Sequence, residues 1–234
     1  MNKVYCFDFD GVLCNSIYEC FIVAYNAYYN KNYNNNKDIN KDIQNFFYKF
    51  RYLAKPAKEF FIIFYAFEKN FYQINREIFD DLKNSLENEI KYFDTKFYKA
   101  REKLKEDIKN WLKLHIKYDQ FENFLEKYSI KFNIVTNKDK DSVIKIAKHH
   151  GYLNRIDSIY SKEISNDKNI LFDILIKEKK LDLLKTEIVY VDDQVDNLEN
   201  VQKNIKCLYL ADWGYNIKSN NKFKRIYSLN EIII

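Results

Sequence analysis

The sequence predicts an α/β protein: a doubly wound, Rossmann-like parallel sheet with an all-helical insertion. Short apolar runs typical of buried parallel strands alternate with helical patterns from residue 119 onward, and a similar run lies at residues 4–7. The segment between them is almost entirely helical in pattern. We therefore expect an α/β core domain of residues 1–15 and 116–234, and a helical domain of residues 16–115.

The first predicted strand leads directly into two carboxylates. Val4-Tyr5-Cys6-Phe7 is β-branched and aromatic, and Asp8-Phe9-Asp10-Gly11 follows it. Because strand side chains alternate with period two, Asp8 and Asp10 are expected on one side of the chain as it leaves the sheet, at the edge where ligands bind in open α/β sheets. Two neighbouring carboxylates repel one another unless a shared proton or a divalent cation compensates. A hard cation is our preferred interpretation.

The helical insertion has strongly aromatic faces. One face carries Ile17, Phe21, Tyr25 and Tyr28, and the pattern repeats in residues 46–53. We expect the asparagine-rich residues 30–40 to be a flexible connection, Pro56 to open a helical segment reaching residue 71, and two further helices to span residues 75–93 and 94–115. Packing of a small helical domain is the preferred interpretation of the aromatic residues.

After the insertion, helix and strand alternate. The expected helices span residues 119–128, 141–150 and 195–204, with one more starting at Lys168, and the expected strands span residues 131–136, 157–160, 187–191 and 206–210. Two of these strands end in polar residues, Thr136-Asn137 and Asp192-Asp193.

Four segments, taken in order, resemble the motifs of the haloacid dehalogenase-like (HAD) hydrolase superfamily. They are Asp8-Phe9-Asp10-Gly11-Val12-Leu13, the strand ending in Thr136-Asn137, the helix start Asn166-Asp167-Lys168, and Val191-Asp192-Asp193 followed by Asp196-Asn197. Each segment alone is a weak signal. Their order and spacing together make the resemblance specific.

The resemblance implies a catalytic role for each motif. Asp8 would be the nucleophile that forms an aspartyl-phosphate, and Asp10 the general acid and base. Thr136, the Asn137 backbone amide and Lys168 would hold the oxygens of the transferred phosphoryl group. Mg²⁺ would be bound by the Asp8 carboxylate, the Asp10 backbone carbonyl and the Asp193 carboxylate.

The fourth motif departs from the common family pattern. The family often has Gly-Asp-x-x-x-Asp, whereas Asp192 stands at the glycine position and Asn197 lies four residues after Asp193. Asp193 is the preferred direct ligand, with Asp192 and Asp196 as supporting or alternative metal residues. The structural alternative is that these carboxylates are solvated acids before a helix N-terminus.

The position of the insertion resembles that of the cap domain in the subgroup with phosphoglycolate phosphatase and β-phosphoglucomutase. Thr136-Asn137-Lys138 and Trp213-Gly214-Tyr215-Asn216 resemble the phosphoglycolate phosphatase branch. Such a cap closes over the core and selects the substrate. Arg51 and Arg101 are candidates for binding a distal anionic group of the substrate, because guanidinium binds carboxylate or phosphate in a forked geometry. Surface solvation of both arginines is the alternative.

We therefore expect a magnesium-dependent phosphatase that acts on a small phosphorylated metabolite. An aspartate at position 10 favours phosphatases and phosphomutases over the dehalogenases and transport ATPases that resemble the same motif. A phosphomutase of the β-phosphoglucomutase type, or a non-catalytic HAD-fold binding protein, are the alternatives.

Composition agrees with an enzyme that handles small molecules. The net charge of +5 is spread along the chain without a basic block, which argues against nucleic-acid and anionic-membrane partners. Neither a signal peptide nor a membrane span is visible in the sequence, so a cytoplasmic location is expected. The four cysteines, Cys6, Cys14, Cys20 and Cys207, lack metal-ligand spacing and are expected to be reduced thiols.

Overall fold

The structure, a computed structural model, describes residues 2–217 and 222–233. The chain forms two compact units. One contains the residues up to Asn15 together with those from Ile116 onward, and the other is Ser16–His115. The first unit is a parallel sheet flanked by helices and the second is helical, so the predicted α/β fold class is confirmed.

The helical unit contains six α-helices. They are α1 (Ile17–Tyr29), α2 (Lys41–Phe50), α3 (Phe60–Glu68), α4 (Arg76–Ser85), α5 (Glu87–Lys105) and α6 (Ile108–Lys113). Asn30 ends α1 in the left-handed conformation, which asparagine tolerates, and the Asn40 side chain caps the start of α2. Residues 30–40 therefore connect two helices, as predicted.

Two boundaries in this unit differ from the prediction. Two helices were expected over residues 75–93 and 94–115, but the chain forms three. The first break lies at Leu86, between α4 and α5. The second lies between α5 and α6, where the Asp107 side chain caps the start of α6. No break occurs near residue 93: Phe93 and Phe97 are one turn apart and both buried, so α5 runs through. Pro56 is extended and precedes a short 3₁₀ turn, so that α3 begins only at Phe60.

Aromatic packing fills the interior of the helical unit. Phe21, Phe47 and Phe64 are fully buried, and their rings lie 5.4–6.1 Å apart, within the range of stabilising aromatic pairs. Phe60 and Phe97 extend the same cluster. The interpretation of the aromatic residues as a small-domain core is confirmed.

The α/β unit is built on a six-stranded parallel sheet. The strands of the unit are β1 (Asn2–Phe7), β2 (Cys14–Asn15), β3 (Ile116–Lys117), β4 (Phe132–Val135), β5 (Ile156–Tyr160), β6 (Thr186–Asp192), β7 (Cys207–Ala211) and β8 (Lys224–Ile226). The sheet order is β5-β4-β1-β6-β7-β8, while β2 and β3 form a separate antiparallel pair. In this order β1 lies between β4 and β6, with Phe7 opposite both Ile134 and Val191.

Four helices accompany these strands: α7 (Asp119–Lys127), α8 (Lys140–His149), α9 (Lys168–Glu178) and α10 (Val195–Val201). Each lies within a few residues of its predicted position. Asp139 and Asp167 cap α8 and α9 through their side chains. All four cysteines are free thiols, as expected. None of the helices in the described part of the chain has the length and apolar content that a bilayer crossing requires.

Candidate active site

Three carboxylates meet where β1 and β6 end. Asp8 follows β1 directly and its backbone N–H donates to Val191 O at 2.9 Å, while Asp192 ends β6 and Asp193 follows it. One carboxylate oxygen from each of Asp8, Asp192 and Asp193 lies within 4.8 Å of the other two, and all three residues are buried. Three buried anions at this distance are unfavourable unless cations compensate.

Lys168 supplies one compensating charge. It is the first residue of α9, and its buried Nζ lies 3.1 Å from Asp8 Oδ1 and 2.6 Å from Asp192 Oδ2. Burial lowers the pKa of Lys168, but the negative charges of Asp192 and Asp8 raise it by a larger amount. The pKa of Lys168 therefore lies above its ordinary value. The ammonium group therefore stays charged between the two carboxylates.

Asp192 is enclosed by hydrogen-bond donors. Its carboxylate accepts from the Tyr190 hydroxyl, from the Gln194 backbone N–H at 2.8 Å and from Asn197 Nδ2 at 3.1 and 3.2 Å, in addition to Lys168. The side chain is fully buried. Asp192 thus orients Lys168 toward Asp8.

Backbone atoms of two segments, at Gly11 and at Gly214-Tyr215, surround the Asp193 side chain. Its Oδ2 accepts from the Tyr215 backbone N–H at 2.6 Å. A Cβ at Gly11, whose φ is +91°, would lie 2.2 Å from Asp193 Oδ2, and a Cβ at Gly214 would lie 2.2 Å from Asp193 Cβ. Gly11 and Gly214, two of the chain's three glycines, therefore leave the space that the Asp193 side chain occupies.

Asp10 has a second lysine as its partner. Lys138 Nζ lies 3.2 and 3.3 Å from the two carboxylate oxygens of Asp10, and the Lys138 backbone N–H donates to Thr136 Oγ1 at 3.2 Å. Lys138 and Thr136 are both buried. No role was predicted for Lys138 from the sequence, in which its only signal is its place directly after Thr136-Asn137, at the end of β4.

The electrostatic balance of the cluster is negative. The four aspartates 8, 10, 192 and 193 carry four formal negative charges, and Lys138 and Lys168 carry two positive charges, which leaves −2 over these six side chains. Burial raises the pKa of Asp8 to about 6, with Lys168 opposing the rise and Asp192 and Asp10 adding to it. Buried Asp8 Oδ1 makes no hydrogen bond, since its contact with Lys168 lacks hydrogen-bond geometry. This oxygen can accept a further cation or react with an electrophile.

Comparison with known proteins identifies the family. Residues 2–199 match the family described as haloacid dehalogenase-like hydrolase. The chain belongs to this family. The resemblance recognised in the sequence and the prediction of a hydrolase are confirmed.

Solved structures share the fold of this HAD-like hydrolase at low sequence identity. A predicted phosphatase from Clostridium acetobutylicum superimposes with a TM-score of 0.62 at 15% identity, covering 98% of this chain and 95% of the other. A protein from Lactobacillus plantarum, provisionally assigned as a phosphoglycolate phosphatase, gives 0.63 at 15% identity, covering 100% and 99%.

A third solved structure holds a metal. YfnB from Bacillus subtilis, provisionally assigned as a HAD-type hydrolase, has magnesium bound and is described as revealing interdomain movement. It gives a TM-score of 0.59 at 13% identity, covering 98% of this chain and 96% of that one. No curated protein matches this chain by sequence.

Asp196 and Asn137, both among the predicted site residues, are not part of the carboxylate cluster of the HAD-like hydrolase. Asp196 lies in the first turn of α10 and does not belong to the group of three buried carboxylates found among the described residues. Asn137 is exposed and directly follows buried Thr136. Its predicted role depends only on its backbone amide.

The two candidate arginines lie in the helical unit. Arg101 Nε and Nη2 donate to Glu19 Oε1 and Oε2, both at 2.7 Å, and its guanidinium packs over Phe97. Arg51 Nη1 donates to Ala54 O at 2.6 Å. Only 8% of Arg51 and 7% of Arg101 is exposed, so the alternative of surface solvation is wrong. Substrate binding by either arginine stays a prediction.

Proposed function

We propose that this HAD-like hydrolase is a magnesium-dependent phosphatase that hydrolyses a small phosphorylated metabolite through an aspartyl-phosphate on Asp8. The observation that carries the proposal is the convergence of the buried Asp8, Asp192 and Asp193 carboxylates, with Lys168 Nζ beside Asp8 and Asp192. This arrangement provides an anionic nucleophile, a cation beside it, and oxygen ligands for a hard metal ion.

The donor set fits magnesium. The six charged side chains sum to −2, all the candidate ligands are oxygens, and Asp8 Oδ1 is buried without a hydrogen bond. Asp8, Asp193 and the Asp10 backbone carbonyl would hold the ion, and Asp192 supports Lys168. When bound, the metal neutralises charge between the Asp8 carboxylate and the incoming phosphate. The magnesium in the similar YfnB structure supports this choice of metal.

In the first step, an Asp8 carboxylate oxygen attacks the phosphorus and the bond from phosphorus to the substrate oxygen breaks. Asp10, which takes up a proton before this step, gives it to the departing oxygen, so that the alcohol leaves neutral. Thr136 Oγ1, the Asn137 amide and Lys168 Nζ bind the phosphoryl oxygens and stabilise their charge in the transition state.

In the second step, water attacks the phosphorus of the aspartyl-phosphate. Asp10, now a carboxylate, takes a proton from the water, and the bond between Asp8 and phosphorus breaks. Inorganic phosphate leaves and the Asp8 carboxylate is restored. We further propose that the helical unit acts as a cap that excludes bulk water during both steps and selects the substrate.

A panel of phosphomonoesters assayed with magnesium tests the proposal. We expect release of inorganic phosphate from at least one ester and no measurable turnover in Asp8→Asn, which keeps the size of the side chain but removes the nucleophilic charge. Release of an isomeric ester from a hexose phosphate, in place of phosphate, would indicate a phosphomutase. Turnover that persists in Asp8→Asn would contradict the mechanism.

A further inference from the structure

We propose that Lys138 is a positioning residue for Asp10, which holds the Asp10 carboxyl group where it can give its proton to the leaving oxygen. The inference rests on the proposed function, because it assigns a part of that reaction to a residue for which the recognised motifs gave no role. Its basis is the pair formed by Lys138 Nζ and both oxygens of Asp10.

The Lys138 ammonium is almost equally distant from the two carboxylate oxygens of Asp10. Nζ lies 3.2 Å from Oδ1 and 3.3 Å from Oδ2, so the ammonium faces the carboxylate as a whole. The side chain of Asp10 is 23% exposed whereas that of Lys138 is 2% exposed. Lys138 is therefore the fixed partner, and Asp10 is the partner whose rotation the contact restricts.

The backbone on both sides fixes Lys138. On the N-terminal side, its N–H donates to Thr136 Oγ1 at the end of β4. On the C-terminal side, Asp139 caps α8 by accepting from the Ser142 N–H at 2.8 Å. The ammonium also lies 5.8 Å from the centre of the Phe9 ring, a favourable cation–π distance. Lys138 thus reaches Asp10 from a rigid turn.

This rigidity has a consequence for catalysis. A general acid must lie within about 2.6–3.2 Å of the atom that it protonates. A displacement of about 1 Å in a positioned group lowers a rate by roughly 100-fold. Removal of Lys138 would let the exposed Asp10 side chain rotate among its staggered conformations, and fewer enzyme molecules would present the acid correctly.

The leaving group provides a specific readout. An alkyl ester such as phosphoglycolate releases a strongly basic alkoxide and needs the proton from Asp10 as the bond breaks. The ester para-nitrophenyl phosphate releases a stable phenolate and needs no proton. Loss of a positioning residue for Asp10 must therefore lower kcat/KM, which reports the reaction up to release of the leaving group, selectively for the alkyl ester, whereas general loss of structure or of phosphate binding lowers kcat/KM for both esters.

The experiment compares kcat/KM and kcat for para-nitrophenyl phosphate and for the best alkyl ester of the panel, in the full chain with magnesium. In Lys138→Met, which keeps the size of the side chain and removes the charge, we expect kcat/KM for the alkyl ester to fall about 10- to 100-fold and kcat/KM for para-nitrophenyl phosphate to fall by less than about threefold. We expect kcat to fall for both esters, because Asp10 also takes the proton from water when the shared aspartyl-phosphate is hydrolysed. Lys148→Met, an exposed lysine on α8, is the matched control and should behave as the unaltered chain.

Several outcomes would overturn the inference: an equal loss of kcat/KM for both esters, no loss of kcat/KM for the alkyl ester, or a kcat/KM that rises. If Lys138→Met does not fold, Lys138→Arg replaces it, since arginine keeps the charge in a different geometry and should still slow the alkyl ester more than the aryl ester. Failure of the proposed function looks different, because the unaltered chain would then turn over neither ester, or Asp8→Asn would turn over both.

Discussion

Gly11→Ala tests whether Asp193 must occupy its present position for metal binding. The added Cβ would lie 2.2 Å from Asp193 Oδ2 and 2.9 Å from Oδ1. Ordinary contact begins near 3.4 Å, so the carboxylate must retreat by about 3.4 − 2.2 = 1.2 Å if the backbone stays in place. A displacement of about 1 Å lowers the rate of a positioned reaction roughly 100-fold, which is the loss of kcat/KM that we expect.

The chain offers a matched control for the backbone strain. Gly151 has a φ of +75°, close to the +91° of Gly11, but a Cβ there would meet nothing within 4 Å. Both alanine variants should lose about 1–2 kcal/mol of unfolding free energy because a side chain is strained in the left-handed region. Only Gly11→Ala should also displace Asp193.

The two variants are compared by urea denaturation, by calorimetric titration with magnesium, and by phosphatase assay. We expect Gly151→Ala to bind magnesium and turn over substrate as the unaltered chain does, and Gly11→Ala to lose both. If the Gly11→Ala protein folds and its magnesium affinity and turnover equal those of Gly151→Ala, the reasoning that places Asp193 in the metal site is refuted.

Two further predictions concern stability. Arg101→Met removes the guanidinium that pairs with fully buried Glu19, and should lower the unfolding free energy by about 3–5 kcal/mol in urea denaturation, whereas Lys91→Met, at an exposed pair, should leave the midpoint unchanged. Equal effects of the two variants would contradict this. Magnesium at about 100 times its Kd should stabilise the chain by about 2.7 kcal/mol and raise its Tm, because the ion binds only the folded carboxylates. Asp193→Asn should abolish that rise, and an undiminished rise would exclude Asp193 as a ligand.

Most of the sheet could be predicted from local pattern. Buried parallel strands are short continuous apolar runs, and each of the four expected after the insertion lies within about two residues of its place. The pair β2–β3 and the strand β8 were not predicted. They have two and three residues, too few for periodicity to indicate a strand, and Cys14 of β2 pairs with Lys117 of β3, which lies far away in the chain.

Most site residues could likewise be predicted from the sequence, whereas the role of one required the structure. Asp8 and Asp10 were candidates because they come just after the first strand, and Thr136, Lys168 and the pair Asp192-Asp193 were candidates because they match the later motifs of the family. Parallel strands align their carboxyl ends at one edge whatever their order. The role of Asp192 required the structure, since three separate elements supply the donors that surround it.

The sequence by itself determined the α/β class, the helical insertion and the four motifs of a HAD-like hydrolase, because these depend on periodicity and on residues that are neighbours in the chain. Tertiary structure alone decided that Lys138 pairs with Asp10 across 128 residues and that Arg101 pairs with Glu19 across 82. Such pairs depend on which strands and helices become neighbours. Local periodicity contains no information about that choice, which long-range packing makes.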